Sequence, residues 1–310
     1  MKNALKVVIF TFAVLAVCAG SIFGYIKYLN ADYTVADGTK SGTVEITSYS
    51  GDDKEIKIPK KIMGKKVVAI GEDAFSETDI VSVDLPETVT AIGKNAFSSC
   101  AQLTSVKLPS SVETIGDSAF SKCEKLSEIN IPSSLKNLGG AVFLKCDSLT
   151  DIKIDEDADF VIKDGILYSS DYTSAYWVSP KADLSDYKSP DTLKNYSSYL
   201  FTLNQSVTAF EFSQGTQTIP EATFLACKSL ESVKIPDGVK TIGDCAFYGC
   251  ESLKYIEIPA SVIKIGKLVF PGMGDDTDAE NKTDFTLRVY DGSKALEYAQ
   301  ENNLKYEIIK

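Results

Sequence analysis

The chain has 310 residues, 44% hydrophobic and 24% charged, which is ordinary for a folded protein and does not indicate disorder. Its formal net charge of −11 argues against nucleic-acid binding, because phosphate recognition needs clustered Lys and Arg. It contains no histidine, which removes the usual general base at neutral pH, the Ser-His-Asp and Cys-His arrangements, and every zinc site that includes histidine. Carboxylate and Ser-Lys chemistry remain open, but no catalytic residue, cofactor or metal ligand is predicted.

Residues 1–30 are predicted to direct export of the chain. Lys2 and Lys6 precede an apolar run, Val7–Ile26, whose roughly twenty residues would span about 30 Å as a helix, the thickness of a bilayer core. The same run is typical of a secretory signal peptide, and Cys18 within it is a candidate for lipid attachment. A retained anchor, a cleaved signal peptide and a lipid anchor all place the following chain outside the cytoplasm. Residues 31–41 are predicted to form a short polar tether.

An internal repeat dominates the rest of the chain. The pattern Ile-Gly-x-x-Ala-Phe-x-x-Cys-x-x-Leu-x-x-Val-x-Ile-Pro recurs about every 23 residues, and about 35 extra residues separate the fourth copy from the fifth. Such a period with one strand-like segment per turn is the signature of a leucine-rich-repeat stack. We therefore predict an α/β-type repeat solenoid of about eight turns, whose repeat phenylalanines are Phe75, Phe97, Phe120, Phe143, Phe201, Phe224, Phe247 and Phe270.

The second of these turns illustrates how the repeat is expected to fold. Val106 and Leu108 alternate with polar residues as a half-buried strand requires, and Pro109 ends that strand because proline cannot donate to a ladder. Gly116 suits a tight bend. A single turn buries too little apolar surface to fold alone, so stacked turns should place phenylalanine on phenylalanine at a spacing of about 4.8 Å.

The repeat resembles the BspA-like leucine-rich repeats of bacterial surface proteins, and the resemblance covers nearly everything after residue 41. It implies an N-terminal cap over residues 42–70 and a strand-helix-strand cap over residues 276–310, which would shield the end of the stack. In the second cap Ser293 can serve as the helix N-cap and Asn303 as the terminator. Between the caps we predict repeats 1–4 over residues 71–154, a hairpin insertion over residues 155–188 and repeats 5–8 over residues 189–275.

Five cysteines lie three residues after a repeat phenylalanine: Cys100, Cys123, Cys146, Cys227 and Cys250. Side chains stacked in this slot form the internal ladder of a leucine-rich repeat, where cysteine packs as a small hydrophobe with a weak donor. Free buried thiols are predicted, because parallel side chains would keep their Cβ atoms about 5 Å apart, beyond what a disulfide needs. Disulfides remain the alternative for an exported protein. A row of thiols does not converge on a metal, and Cys245 lies outside the slot.

The longest acidic stretch, Asp275–Glu280, holds four carboxylates within six residues. Hard cations such as Ca²⁺ take oxygen ligands, so a calcium site is conceivable. The spacing matches no EF-hand loop, and a solvated loop is therefore favoured over a metal site.

Two surfaces are candidates for binding a partner. The outward positions of the repeat strands are polar and of mixed sign with one aromatic residue, Tyr255, and suit either a weak protein contact or a soluble surface. The insertion is predicted to form two strands, Phe160–Tyr168 and Ala175–Val178, joined through Ser169–Ser174. Its aromatic residues either bind a partner, being of types enriched in hot spots, or form a small core of their own. The predicted partner-binding residues of the insertion are Tyr168, Tyr172, Tyr176 and Trp177.

The resemblance implies a module for protein–protein interaction or adhesion, extracellular or at the cell surface, and either anchored by residues 1–30 or secreted. The expected partner is a protein or cell-surface ligand, with extracellular matrix proteins among the candidates. The chain is expected to be a monomer without a cofactor, and to contact the membrane only through its N-terminal segment. The alternatives are an architectural envelope component and an enzyme with its site on the insertion, which the missing histidine disfavours.

Overall fold

The computed structural model describes residues 28–29, 32–273 and 284–310 of the chain. The chain divides into two compact units, residues 1–158 and 159–310. Both consist of stacked leucine-rich-repeat turns, about 11 turns of about 23 residues in the described ranges, which confirms the predicted solenoid. The predicted apolar run and the acidic stretch Asp275–Glu280 lie outside the described residues. In the part of the chain that the structure describes, no helix has both the length and the hydropathy of a membrane span.

The first unit consists of short strands joined by turns. Its strands are β1 Tyr28–Leu29, β2 Tyr33–Asp37, β3 Thr43–Tyr49, β4 Glu55–Lys57, β5 Lys61–Ile62, β6 Lys65–Ile70, β7 Ser82–Asp84, β8 Ala91–Ile92, β9 Ser105–Lys107, β10 Thr114–Ile115, β11 Glu128–Ile131, β12 Asn137–Leu138 and β13 Lys153–Ile154. One sheet has the order β1-β2-β3-β6-β8-β10-β12, with β5 on β6, and the other has the order β13-β11-β9-β7-β4. Successive turns pair in parallel and in register, with Val83 beside Val106, so equivalent side chains stack.

Each repeat turn contributes a strand to both of these sheets. In the turn that follows Phe97, Val106 of β9 is buried between the exposed Ser105 and Lys107, as the predicted alternation requires. The same turn enters the other sheet through the two-residue strand β10, of which Ile115 is buried. The repeat pattern predicts one strand per turn, because the two residues of the second strand are too few to display a period of two.

A third hydrogen-bonded ladder runs beside the repeat phenylalanines. The N–H groups of Asn95, Phe97 and Ser99 donate to carbonyl oxygens of the next turn at 2.9, 2.8 and 2.7 Å. Asn95 and Ser99 hold left-handed φ angles of 52° and 61°, which are unfavourable for residues other than glycine. The ladder offsets that strain, because it supplies each buried backbone donor with an acceptor.

Gly116, two residues before the left-handed Ser118, has a different role from the one predicted for it. Gly116 was expected to permit a tight bend, yet the left-handed residue of the turn is Ser118, with a φ of 55°. A Cβ atom on Gly116 would lie 2.6 Å from the backbone nitrogen of Lys94 and 2.8 Å from the carbonyl carbon of Gly93. Glycine is therefore required because two turns approach each other too closely for a side chain.

The repeat phenylalanines form a column of stacked rings in each unit, as predicted. In the first unit the centroids of Phe75, Phe97, Phe120 and Phe143 are successively 5.1, 5.3 and 6.1 Å apart, and neighbouring rings are within 18° of parallel. Tyr49 extends the column, 5.2 Å from Phe75. Residues 42–70 thus supply a further turn, with tyrosine in the phenylalanine position.

The predicted tether is wrong for residues 33–37. These residues form β2, which pairs antiparallel with β3, and Val35 and Ala36 are fully buried. The strand covers the edge that β3 would otherwise expose, which removes a row of unpaired backbone groups. Five residues with a single large aliphatic side chain gave too little apolar signal to predict this strand.

The second unit has the same construction. Its elements are β14 Phe160–Lys163, β15 Ile166–Ser169, β16 Ser174–Val178, β17 Asn195–Tyr196, β18 Ala209–Glu211, β19 Thr218–Ile219, β20 Ser232–Lys234, β21 Thr241–Ile242, β22 Tyr255–Glu257, β23 Lys264–Ile265, β24 Thr286–Tyr290, helix α1 Lys294–Glu301 and β25 Tyr306–Ile309. The sheets have the orders β14-β15-β16-β17, β18-β20, β19-β21-β23 and β22-β24-β25. The rings of Phe201, Phe224, Phe247 and Phe270 stack at 4.9, 5.8 and 6.3 Å.

The predicted strand-helix-strand cap is present as β24, α1 and β25. The Ser293 hydroxyl accepts a hydrogen bond from the N–H of Leu296 at 3.2 Å, as an N-cap does. Asn303 follows the helix in the left-handed conformation with a φ of 54°. The helix buries Leu296 and Tyr298 against the end of the stack, and the hydroxyl of Tyr298 accepts the N–H of Val269 at 3.4 Å.

The predicted ladder of free thiols is confirmed. All five ladder cysteines are unpaired and buried. Each thiol donates to the carbonyl oxygen of the phenylalanine one turn earlier, as between Cys123 and Phe97 at 3.1 Å and between Cys250 and Phe224 at 3.1 Å. Burial raises the pKa of the Cys250 thiol to about 12. The Cys250 thiol therefore stays a protonated donor at neutral pH.

The raised pKa makes stability depend on pH in the alkaline range. An unfolded thiol ionises near its ordinary pKa of about 8.5, whereas folded Cys250 stays protonated to about pH 12, so its stabilising contribution is complete below about pH 8.5 and declines as pH rises towards 12. We expect the destabilisation caused by Cys250→Ala to be about 2.7 kcal/mol smaller at pH 10.5 than at pH 7.5. Urea unfolding curves at both pH values measure it. A Ser110→Ala control should show no such change, and an equal loss at both pH values would contradict the expectation.

Candidate binding surface

The insertion has three strands rather than the predicted two. β14 and β15 form an antiparallel hairpin through Asp164-Gly165, whose φ angles of 52° and 74° are typical of a two-residue Asp-Gly turn. β15 then pairs antiparallel with β16, and β16 runs parallel to β17. The predicted first strand, Phe160–Tyr168, is therefore a hairpin, and β16 adds a turn to the stack of the second unit.

Two of the predicted partner-binding residues lie in the core instead. Tyr168 is 1% exposed and Trp177 is 7% exposed. The hydroxyl oxygens of Tyr168 and Tyr187 are 2.9 Å apart, and the Tyr187 ring stacks on Phe210 at 5.7 Å. Burial, followed by repulsion from Tyr187, raises the pKa of Tyr168 above its ordinary value. The prediction of partner contact is wrong for Tyr168 and Trp177, because a short hairpin needs rings to bury if it is to stay ordered.

A groove of about 400 Å³ opens on the second unit, and we call it the insertion groove. It combines lysines, one carboxylate, hydroxyl groups and one aromatic ring, and its lining residues are Lys163, Tyr172, Lys188, Ser189, Pro190, Asp191 and Thr192. The Lys163 Nζ atom lies 5.8 Å from the centroid of the Tyr172 ring. The Thr192 hydroxyl donates to the carbonyl oxygen of Tyr172 at 3.1 Å. The groove thus surrounds one predicted residue, Tyr172, with charges of both signs.

The turn between β15 and β16 fixes the position of Tyr172. Its φ is 56°, a left-handed conformation, and its N–H donates to the carbonyl oxygen of Ser169 at 2.8 Å. The Asp171 carboxylate accepts the Ser169 hydroxyl at 2.6 Å, and the N–H and hydroxyl of Thr173 at 3.0 and 2.9 Å. These hydrogen bonds hold the pKa of Asp171 below its ordinary value, so the turn stays locked at neutral pH. The half-buried Tyr172 ring also packs 5.4 Å from Tyr168.

The remaining two predicted residues do not line the insertion groove. The half-buried ring of Tyr176 packs edge-on against Phe160 at 5.5 Å. Tyr255 is 47% exposed, and the guanidinium carbon of Arg288 lies 3.9 Å from its ring centroid. Arg288 is held there by Glu307, with its Nε atom 3.3 Å from the carboxylate. Tyr255 is therefore a surface ring with one face already covered by a cation.

The outward positions of the strands carry charge pairs in each unit. In the first unit Lys153 pairs with Glu128 at 3.7 Å, and in the second unit Lys234 pairs with Glu211 at 2.5 Å. The four side chains are mostly exposed, so such pairs contribute little to stability or affinity. This geometry agrees with the interpretation of the face as a soluble, mixed-sign surface.

The sequence did not single out the charged lining of the insertion groove. Lys163 lies in the middle of the predicted strand Phe160–Tyr168, and Lys188 and Asp191 lie where the insertion meets the fifth repeat. About 25 residues separate Lys163 from Lys188, so no local pattern connects them. Chemically, the groove offers ammonium, hydroxyl and carboxylate groups for recognition. The described residues contain no group of three or more Cys, Asp or Glu side chains arranged to hold a metal.

The fold and the repeat define the class of the protein as a leucine-rich-repeat protein. The profile of the family described as "BspA type Leucine rich repeat region" matches residues 68–179 and 179–274 in 6 copies, more than half of the chain. The chain belongs to this family of BspA-type leucine-rich-repeat proteins. No curated protein matches the chain.

Several solved structures are similar to this chain. The pneumococcal vaccine antigen PcpA is 21% identical, with a TM-score of 0.55, and the match covers 94% of this chain and 100% of that chain. The leucine-rich-repeat protein of T. pallidum is 24% identical over 73% of this chain and 90% of that chain, with a TM-score of 0.44. A leucine-rich cell surface protein of Faecalibacterium prausnitzii A2-165 is 22% identical over 90% and 98% of the two chains, with a TM-score of 0.42. At these identities the likeness to PcpA shows a shared fold.

Proposed function

We propose that the chain is an extracytoplasmic protein-interaction module of the bacterial cell surface, and that it contacts its partner through the insertion groove. The observation that carries the proposal is the position of Tyr172. Its half-buried ring lies 5.8 Å from the ammonium of Lys163, and its backbone carbonyl oxygen accepts the hydroxyl of Thr192. The repeats themselves use their regular side chains for packing. Binding energy in protein interfaces is concentrated at such rigid aromatic residues in recessed positions.

The groove has the chemistry to recognise a segment of a protein. Lys163 and Lys188 suit a carboxylate of the partner, Asp191 suits an amine or amide, and the Tyr172 ring supplies apolar contact. Extracellular matrix proteins and proteins of other cells are the partner classes that we favour, since membership in a surface-protein family supports them. Residues 1–30 would export the chain and either anchor it or be removed.

Partner binding tests this proposal. The full chain is first screened against matrix proteins, glycans and whole cells. Against any ligand found, the double variant Lys163→Ala, Tyr172→Ala should weaken binding by more than about 2 kcal/mol, because it removes a central ring and its cation. The matched sheet-face variant Lys153→Ala, Lys234→Ala should change affinity by less than about 0.5 kcal/mol, since exposed charge pairs contribute little. Isothermal titration calorimetry measures both.

Three outcomes would contradict the proposal. Loss of binding with the sheet-face variant alone would move the site to the outer strands. Self-association without any foreign ligand would favour an architectural envelope component. Turnover of a ligand during the screen, abolished by changes in the groove, would favour an enzyme.

A further inference from the structure

A hairpin in the first unit, residues 60–66, carries an apolar side chain at its tip and a concentration of positive charge. We call it the basic hairpin. Ile62 is buried and anchors it, while Met63 at the tip is 60% exposed. Met63 and Gly64 form the turn with φ angles of 51° and 78°. A two-residue turn of this kind favours Asn or Asp in the first position, so packing and backbone preference both leave the methionine unexplained.

The charge of the basic hairpin contrasts with that of the whole chain, whose net charge is −11. Its four lysines are Lys60, Lys61, Lys65 and Lys66. Lys65 pairs with Asp37, whereas Lys60, Lys61 and Lys66 are exposed and form no ion pair with any described residue. Lys40 is exposed in the adjoining turn between β2 and β3. Five lysines are therefore concentrated here, and Asp37 forms an ion pair with one of them, Lys65.

The sheet register places this hairpin at the end from which the chain enters the sheet. β1 pairs antiparallel with β2, Tyr28 beside Val35 and Leu29 beside Thr34, so Tyr28 is the end of β1 nearer Asp37. Asp37 is the residue that pairs with Lys65 of the basic hairpin. The apolar run ends at Ile26, two residues before Tyr28. Two residues span at most about 7 Å, so a bilayer holding the apolar run would begin close to this end of the sheet.

We infer that the basic hairpin docks on the anionic phospholipid surface of the membrane that holds the N-terminal run. This inference rests on the proposed anchoring of that run and goes beyond the binding of a partner protein. Lysines next to an anionic leaflet are attracted to its headgroups. The exposed Met63 enters the boundary between headgroups and acyl chains, where its side chain leaves water. The contact explains why a bulky apolar residue occupies a strained, exposed turn.

The test uses the full chain reconstituted in two kinds of nanodisc. One kind contains phosphatidylcholine alone, and the other also contains about 30% phosphatidylglycerol, which makes the surface anionic. A bimane fluorophore is attached to Met63→Cys. The unsubstituted chain measures background labelling. The matched control carries the label at Leu203→Cys, because Leu203 is also apolar, 54% exposed and left-handed, with a φ of 64°. Quenching by a lipid-borne spin label should occur at position 63 in anionic discs only, and not at position 203.

Neutralising the lysines separates charge attraction from apolar contact. In Lys60→Gln, Lys61→Gln, Lys66→Gln the ratio of docked to free hairpins should fall on the order of a hundredfold, since each lysine near an anionic surface is worth roughly a fivefold change. The matched triple Lys107→Gln, Lys125→Gln, Lys153→Gln, taken from exposed positions of the same unit, should leave quenching unchanged. Circular dichroism checks that both triples are folded.

Each other result overturns the inference. Disc-bound protein without quenching at position 63, or equal quenching in neutral discs, would exclude docking on anionic lipid. A spectral shift with soluble poly(glycerol phosphate) but no lipid quenching would assign the lysines to a phosphate polymer. Failure of the full chain to copurify with discs would refute the proposed anchor, and the docking inference with it, while leaving partner binding through the insertion groove untouched.

Discussion

Phe120→Ala is expected to lower the free energy of unfolding of the first unit by about 3–5 kcal/mol. The Phe120 side chain is fully buried between Phe97 at 5.3 Å and Phe143 at 6.1 Å. Its removal leaves a cavity whose neighbours belong to a column fixed by backbone ladders on both sides, so the gap cannot close. The loss should be larger than for an isolated ring, because both stacked contacts disappear together.

Hydrogen exchange is the appropriate measurement for this variant. A repeat stack does not necessarily unfold in one step, so a single denaturation midpoint is a poor readout. Amides of β9, β10 and β11 should lose protection together by the stated amount, while those of the second unit serve as an internal reference. Ser110→Ala, at an exposed position, should change protection by less than about 0.5 kcal/mol. Loss of less than about 1 kcal/mol in Phe120→Ala would show that the column is not the main core.

Trp177→Ala is expected to destabilise the second unit by about 3–5 kcal/mol, whereas Tyr172→Ala should cost about 1 kcal/mol or less. Trp177 is almost fully buried in β16, which joins the insertion to β17, and Tyr172 is half-buried at the groove. Thermal unfolding followed by circular dichroism compares the two variants. Equal, small effects would mean that Trp177 is available to a partner after all. A large effect of Tyr172→Ala would mean that the ring belongs to the core and cannot serve as a contact.

The parts of the fold that recur along the chain were predictable from the sequence. The phenylalanine column, the cysteine slot and the alternation around Val106 each appear in several copies, so the copies identify the buried positions by comparison. The cap was predicted from the family resemblance, and Ser293 and Asn303 supplied the matching start and stop signals of its helix. The strand Thr114–Ile115 was missed because it is too short to show a period, and the left-handed ladder was missed because Asn95 and Ser99 are not glycines.

The candidate site was less predictable, for the opposite reason. The insertion occurs once, so no second copy indicates which of its rings face inward. Tyr168 and Tyr172 are the same residue type and only four positions apart. Tyr168 lies on a strand of the hairpin and is buried in the core, whereas Tyr172 lies in the tight turn that follows and is half-buried at the surface. The groove also depends on Lys163 and Lys188 meeting across the fold, which local sequence does not encode. Tyr172 was the one predicted residue that the groove contains.

The left-handed ladder gives the stack a direction. The N–H groups of Asn95, Phe97 and Ser99 all donate to carbonyl oxygens of the turn that follows in the chain. Every such turn consequently offers the same donor side to its successor and the same acceptor side to its predecessor. A gene segment encoding one period can be copied or deleted in frame, and the flanking turns still meet complementary faces. Length in this protein is thus free to change by whole turns during evolution, while reversal of a turn is forbidden.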